Sequence, residues 1–404
     1  MGLDTLRKLR LVNKAFYQSA SRVLFRSVIA DIDPDLSPKL STIKNLEDLI
    51  KDDFAQFVRE IRFNVIYKDG QDDDDDEENR PEDGQEDNQG DAEEEEEEEE
   101  PQQPSLTLTP EKTEYIRFLL AQFPNLRAVS IGTTQGPTNE DEIRQKIVVK
   151  GIFAQILYAV SSLQDQNVVR LAMAVECLDQ LFALLTLDPR WARFGAFMQQ
   201  LQHITLDNLT VQVTNHPLIL ERAVLDASPQ LLSLEIRDSG VVRSFQRTAG
   251  ARQTLQLRAL NLSYMQLSSR DLLDLLMRSK DTLKYVAFEY VILTQGSWLY
   301  VLIQMRKNLE LLKLYFMGDS MDAIDNSTDG LYYEDIQVPP AQLKHALGDL
   351  QRQINANRTA AGLEPYTTEI FDHLDLNPLH TILRRNEWQQ WDSRTWEFVE
   401  DGNA

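Results

Sequence analysis

The chain has 404 residues, 42% of them hydrophobic, with a formal net charge of −24 and one cysteine, Cys177. The charge is local, because the segment from Asp69 to Glu100 holds 21 acidic residues and one arginine, which leaves 40 basic and 44 acidic residues elsewhere. Because the charge outside this segment is nearly balanced, nucleic acid is disfavoured as a partner. A single cysteine excludes an intrachain disulfide, and no apolar run is long enough to span a membrane. We therefore expect a cytoplasmic or nuclear protein.

The first 28 residues have the pattern of paired amphipathic helices followed by a short strand. Leu6, Leu9, Val12 and Phe16 recur at the spacing of one helix face, with basic residues between them. In the segment from Leu24 to Ile29, apolar and polar residues then alternate over a short stretch, which predicts a first strand.

Residues 29–67 have the pattern of a first repeat-like unit. Apolar residues at helical spacing from Ile43 to Phe57 predict a helix. The string Val58-x-x-Ile61-x-Phe63 predicts the strand that follows it.

The acidic segment, residues 68–104, is predicted to be a disordered insertion between two units. It has no aromatic residue after Lys68 and contains unbroken runs of Asp and Glu, so it lacks the apolar area that would offset the entropy of ordering a chain. Two interpretations stay open: an inert solvated loop, or an acidic segment that attracts basic partners.

Leucine-rich patterns resume after the insertion and define an array over residues 105–318. Apolar residues at helical spacing predict three helices, which run from Thr113 to Phe123, from Ile147 to Ser161 and from Val175 to Leu185. An L-x-x-L-x-L pattern or an apolar variant of it begins at Val58, Leu126, Val168, Leu201, Leu231, Leu257, Leu283 and Leu309.

The last four of these units are separated by 26 residues each time. A fixed period in this range around an L-x-x-L-x-L core is typical of leucine-rich repeats. One unit buries too few side chains to fold alone, so units stack. We therefore predict an α/β fold: a leucine-rich-repeat-like solenoid with a parallel sheet on its concave face and helices outside. The alternative is an ordinary α/β domain with evenly spaced strands.

Residues 319–404 are interpreted as a C-terminal capping region. The repeat pattern ends at Gly318, a helix is predicted from Pro340 to Asn355, and three tryptophans, Trp388, Trp391 and Trp396, follow. The end of a repeat array exposes an apolar face that must be covered, and we expect these tryptophans to cover it. A binding platform is the alternative.

The sequence contains none of the phosphate-binding, zinc-protease or nucleophile-elbow motifs. The cluster Glu369, Asp372, His373 and Asp375 fits no standard metal spacing, and Cys177 lies in an amphipathic helical pattern that favours a buried thiol. We therefore predict no catalytic residue, no metal and no cofactor.

The N-terminal segment resembles the second half of an F-box. The matching strings are LRKLRLVNKAF from Leu6 to Phe16 and LFRSV from Leu24 to Val28. With the repeats and the acidic insertion, the chain resembles fungal F-box proteins with leucine-rich-repeat-like C-terminal regions. The family's first helix, with its Leu-Pro-x-Glu opening, has no counterpart before Leu3, so the F-box is partial and spans residues 1–28.

This resemblance implies a substrate-recognition subunit of a cullin–RING ubiquitin ligase of the SCF type. The family's F-box helices bind the Skp-type adaptor, and the missing first helix puts that binding in doubt here. The adaptor-facing residues carried over from the family are Leu6, Leu9, Val12 and Phe16. The alternatives are ordinary helix packing for these residues, a repeat scaffold without a ligase link, and a hydrolase or transferase on an α/β fold.

The concave strand face is the predicted site for an unknown target protein, since outward positions alternate with the inward leucines. Tyrosine and arginine are enriched at protein interfaces, and charged residues can pair across them. The predicted partner-binding residues are Arg237, Tyr285, Glu289, Lys313 and Tyr315.

Overall fold

The computed structural model describes twelve segments of the chain. They are residues 14–32, 44–65, 110–133, 142–163, 167–174, 192–207, 224–225, 228–237, 254–263, 265–289, 291–317 and 340–366. Several sequence predictions lie outside these residues: the disordered acidic segment, the helix from Val175 to Leu185, the cluster around His373 and the three capping tryptophans.

Helices and strands alternate along the chain. The first half contains α1 (Lys14–Leu24), β1 (Ser27–Ile32), α2 (Lys44–Lys51), a short 3-10 helix (Ala55–Phe57), β2 (Glu60–Val65), α3 (Pro110–Ala121), β3 (Ala128–Thr133), α4 (Glu142–Ser161), β4 (Arg170–Ala174), α5 (Ala192–Gln200) and β5 (His203–Asp207). The second half contains β6 (Ser233–Arg237), β7 (Ala259–Ser263), β8 (Gln266–Ser268), α6 (Ser269–Arg278), β9 (Tyr285–Glu289), β10 (Ile292–Gln295), α7 (Trp298–Asn308), β11 (Lys313–Met317) and α8 (Pro340–Ala360).

The main sheet of the described residues has nine strands in the order β1-β2-β3-β4-β5-β6-β7-β9-β11. Every neighbouring pair is parallel. The four regular units supply four consecutive strands, in which Leu234 pairs with Leu260, Leu260 with Val286, and Val286 with Leu314. The predicted mixed α/β architecture with a parallel sheet is therefore confirmed.

Two short strands were not predicted. Strands β8 and β10 form a separate two-stranded parallel sheet. Each follows a strand of the main sheet after a break of two residues, and the backbone N–H of Ile292 donates to the carbonyl of Met265 at 2.8 Å.

Alternation along the strands separates a buried face from an outward face. On β4 and β5, Leu171, Met173, Ile204 and Leu206 are buried and their neighbours are not. These side chains belong to one continuous apolar cluster with residues of the helices, among them Leu120, Phe153, Phe197, Leu272 and Leu302. Burial of a leucine-sized side chain stabilises the fold by about 1.5–3 kcal/mol, so the helices and the sheet hold each other in place.

The same backbone junction joins each strand of the main sheet to the next. At each junction one carbonyl just before a strand accepts two successive backbone N–H groups of the following unit, as when the carbonyl of Arg258 accepts from Lys284 at 2.9 Å and Tyr285 at 3.0 Å. The eight carbonyls are those of Arg26, Arg59, Arg127, Val169, Gln202, Leu232, Arg258 and Lys284. The junction uses main-chain atoms alone, so it accepts any residue except proline, which has no N–H to donate.

Helix α8 packs against α7, the helix of the last unit. Asp349 on α8 pairs with Arg306 on α7. Near the end of α8, Asn357 Nδ2 donates to the carbonyl of Leu311 at 2.9 Å, and Arg358 Nη1 donates to the carbonyl of Leu312 at 3.3 Å. This helix therefore contacts both the helix and the strand entry of the last unit.

Candidate interaction surface

The outward face of the main sheet carries three side chains from each strand, because successive residues of a strand point to opposite faces. In-register pairing aligns them in rows that cross the sheet at about 4.8 Å per strand. The middle row, from β1 to β11, is Ile29, Arg62, Ser130, Ala172, Thr205, Glu235, Asn261, Ala287 and Tyr315.

Glu235 is the centre of a hydrogen-bonded network on this face. Its carboxylate accepts from Thr205 Oγ1 at 3.3 Å, from Asn261 Nδ2 at 2.9 Å, and from Arg237 at 2.8 Å. Ser263 Oγ extends the network by donating to Asn261 Oδ1 at 3.2 Å. Three neighbouring strands thus share one polar cluster whose side chains are held in fixed positions.

His203 lies next to this network. Its Nδ1 is 2.9 Å from Ser233 Oγ on the neighbouring strand. Burial, and to a smaller extent the positive charge of Arg170, lower the pKa of His203 from 6.5 to about 4. The imidazole is therefore neutral at physiological pH.

The Ser233–His203 pair invites comparison with a nucleophile and its general base. A general base works best when its pKa lies near the operating pH, and a pKa of about 4 makes His203 a weak proton acceptor. The pair is better suited to a fixed polar contact than to activation of the serine hydroxyl.

A second polar cluster lies on β1 and β2. Arg62 Nε donates to Glu60 Oε1 at 2.9 Å, and both side chains project from the same face of β2. Asn64 Nδ2 donates to Asp31 Oδ1 of β1 at 2.9 Å. The two clusters flank β3 and β4, whose outward residues other than Arg170 are small: Ala128, Ser130, Gly132, Ala172 and Ala174.

The outward face is accessible on β1 to β6 and largely buried on β7, β9 and β11. The exposed fractions of Ser263, Ala287 and Lys313 are 0%, 1% and 5%. Only the first two thirds of the face is therefore open to a partner.

Some of the predicted partner-binding residues lie on the accessible part of this face and others on the buried part. Arg237 is exposed, and Glu289 is half-buried. Tyr285 is half-buried, and burial raises its pKa, against the opposing effect of Arg358 and then of Arg258. Lys313 and Tyr315 are buried, which removes them from the part of the face that a partner reaches without a rearrangement.

The predicted adaptor-facing residues lie at the margin of the described chain. Leu6, Leu9 and Val12 lie outside the described residues, and Phe16 falls within α1. Their assignment stays a prediction.

Sequence reasoning missed Arg62 and Arg170 as outward residues. Both occupy strand positions equivalent to those assigned in the later units, since Arg62 pairs in register with Ser130 and Arg170 with His203. The patterns that begin at Val58 and Val168 contained this signal, but the predicted partner-binding residues all come from the units that begin at Leu231, Leu283 and Leu309.

No group of three or more His, Cys, Asp or Glu side chains that could hold a metal ion occurs among the described residues. None of the helices in the described segments combines the length and apolar character that crossing a lipid bilayer requires. No protein-family model matches the chain, and no curated protein matches it either.

Proposed function

We propose that the chain is a non-enzymatic protein-interaction module, a leucine-rich-repeat-like solenoid that binds a target protein on the outward face of β2 to β6. The observation that carries the proposal is the sequence-ordered parallel sheet with one apolar and one polar face. Repeat arrays use such faces as extended binding surfaces.

The polar clusters favour recognition of a protein surface. The Glu235 and Glu60–Arg62 clusters supply both signs of charge and hydrogen-bonding groups over several strands. Side chains that are already held in place lose little conformational entropy when a partner binds. Charged and polar groups in fixed positions contribute more to the specificity of binding than to its affinity.

Within this class we propose the role of substrate receptor of an SCF-type ubiquitin ligase. The support is the F-box-like segment from Leu6 to Val28, whose last two residues begin β1 of the main sheet. In this role the protein contributes proximity: it holds a target near the ligase while its N-terminal helices bind the Skp-type adaptor. A repeat scaffold without a ligase link is the competing role.

Binding of purified Skp-type adaptor separates the two roles. We expect the adaptor to bind the chain, or the chain extended upstream by a Leu-Pro-x-Glu segment, in isothermal titration calorimetry. The variant Leu9→Asp should abolish this binding, and Arg117→Glu, on the exposed surface of α3, should not change it. If neither form binds the adaptor, the receptor role fails and the scaffold remains.

A second experiment tests the face itself. Proteins that co-purify with the intact chain should be lost from Arg237→Glu and retained by Arg117→Glu, because only Arg237 lies on the outward face. Equal recovery with both variants would place the binding site elsewhere.

A further inference from the structure

Strand β1 forms one edge of the main sheet, because it pairs with β2 and, among the described residues, with no other strand. The carbonyl of Arg26, just before β1, accepts from the N–H of Glu60 at 3.0 Å. Backbone groups of successive strand residues point to alternate sides, so every second residue from Arg26 onward faces β2. The residues between them, Ser27, Ile29 and Asp31, point their N–H and C=O groups to the outer edge.

This outer edge lacks most of the features that protect sheet edges from pairing. Natural edges are commonly protected by lysine, proline or a bulge. Strand β1 contains neither residue type, and its pairing with β2 is regular over six residues. Ile29, in the middle of the strand, has an exposed fraction of 55%. A flat edge with an exposed apolar residue is a template for another strand.

The opposite edge of the sheet is different, because α8 occupies the junction position of β11. The carbonyl of Leu312 precedes β11 as the eight junction carbonyls precede their strands, and it accepts from Arg358 Nη1 at 3.3 Å. Arg358 is held there by Tyr366, whose ring centre is 4.0 Å from the guanidinium. A second copy cannot add at this junction without displacing α8, so head-to-tail stacking of copies into a filament is disfavoured.

We propose that β1 pairs with β1 of a second copy of this chain, antiparallel, about a two-fold axis that passes beside Ile29. A two-fold axis perpendicular to the sheet makes the two strands antiparallel and the contact self-complementary. In this register Ile29 faces Ile29 of the other copy, and Ser27 faces Asp31. Each of the three facing pairs exchanges two main-chain hydrogen bonds, which gives about six in all.

The side chains of this register are compatible with one another. Ile29 is the one large apolar side chain that is exposed on the described strands, and pairing with its counterpart shields it from water. The hydroxyl of Ser27 faces the Asp31 carboxylate, which already accepts from Asn64 Nδ2 at 2.9 Å. The two Asp31 side chains lie about 13 Å apart along the strands, which exceeds the Debye length of about 8 Å at physiological salt.

The pairing brings the accessible parts of two outward faces together. On each copy the outward face is accessible on β1 to β6 and largely buried toward β11, so a β1–β1 contact places the two accessible parts side by side. The pairing itself does not rest on the proposed function. If target binding holds, a dimer gains affinity for a target with two epitopes, because the second contact is intramolecular.

Sedimentation velocity of the full-length chain over a range of concentrations tests the pairing. The interface is small, so we expect a monomer–dimer equilibrium with a dissociation constant of about 1–100 µM. Ile29→Lys and Ile29→Glu should each raise this constant at least about 10-fold, because like charges then face each other across the axis. An equimolar mixture of the two variants should restore the dimer, since opposite charges then face each other.

Phe118→Lys is the matched control for these variants. Phe118 lies on α3 with an exposed fraction of 61%, so the substitution replaces a similarly exposed apolar residue away from the edge. It should change the dissociation constant less than about 2-fold. Circular dichroism melts of all variants verify that each is folded.

Cysteine cross-linking tests the register in a Cys177→Ser background. Facing Cα atoms in a hydrogen-bonded antiparallel pair are about 5.5 Å apart, which lies within the range of a disulfide. Ile29→Cys should therefore form a covalent dimer under mild oxidation, and Phe118→Cys should remain a single chain.

Several results would overturn the proposal. A wild-type chain that is still monomeric at about 300 µM would show that the edge does not pair. Equal weakening by Phe118→Lys and Ile29→Lys would show that the copies associate through general apolar contact. A dimer that persists in both Ile29→Lys and Ile29→Glu, or the absence of a cross-link in Ile29→Cys, would place the interface elsewhere.

Discussion

Gly296 and Ser269 are in such close contact that residue 296 has no room for a side chain. A Cβ at position 296 would lie 2.6 Å from Ser269 Cβ, and the backbone of Gly296 has a φ of +87°, a region that residues with a Cβ rarely adopt. Gly296 follows β10, and Ser269 follows β8. The contact thus fixes the distance between the ends of the two strands of the small sheet.

Gly296→Ala should lower the free energy of unfolding by about 1–3 kcal/mol, from backbone strain and the clash with Ser269. Urea unfolding followed by circular dichroism measures it. Gly195→Ala in α5 is the matched control: its Cβ would meet nothing within 4 Å, so helix propensity should raise the stability by about 0.5–1 kcal/mol. If Gly296→Ala left the free energy of unfolding unchanged, the close contact between Gly296 and Ser269 would be wrong.

Leu260→Asp should abolish the cooperative melt. Leu260 on β7 is buried among apolar side chains, with an exposed fraction of 1%, and an unpaired charge there costs several kcal/mol. Arg237→Asp places the same side chain on the exposed face of the neighbouring strand and should shift the melting temperature only slightly. Similar melts for the two variants would mean that the inward and outward faces are wrongly assigned.

Thr282 ties two units together through its hydroxyl, which donates to the carbonyl of Leu257 at 2.8 Å. Thr282→Val keeps the shape and leaves that carbonyl without this donor, so we expect a loss of about 1–2 kcal/mol in unfolding free energy. Thr282→Ser retains the hydroxyl and should recover most of the loss. A serine variant as unstable as the valine variant would indicate that the methyl group, not the hydrogen bond, matters.

Stability should fall as the pH decreases from about 6.5 to 4, partly because of His203. In the unfolded chain this histidine takes up a proton near pH 6.5, whereas in the folded protein its pKa is lowered to about 4 by burial and Arg170. Between these values only the unfolded chain is protonated at His203, which favours unfolding by about 3 kcal/mol at the lower end. Below pH 4 both forms are protonated and the contribution is constant.

His203→Gln removes this contribution and preserves a polar group beside Ser233. In urea unfolding at several pH values, the free energy of unfolding of the variant should therefore fall less steeply between pH 6.5 and 4 than that of the wild-type chain. Parallel profiles for the two proteins would show that the folded pKa of His203 is not lowered.

The strands of the sheet were predictable because their signal is local and repeated. The spacing of 26 residues even implies the register that sets Glu235 beside Asn261. Strands β8 and β10 were missed because each has only three or four residues, too few for a period to be visible. The burial of Lys313 and Tyr315 was missed because it depends on which part of the chain covers that end of the sheet, and no pattern within β11 encodes it.

The repeated junction, in which one carbonyl accepts two N–H groups of the next unit, has a consequence for evolution. Since both partners are main-chain atoms, a duplicated or deleted unit meets an identical acceptor and identical donors on either side. The main-chain part of the junction therefore places no demand on the sequence of an added or removed unit beyond the absence of proline at the donor positions, and only the side chains of the shared apolar core have to match.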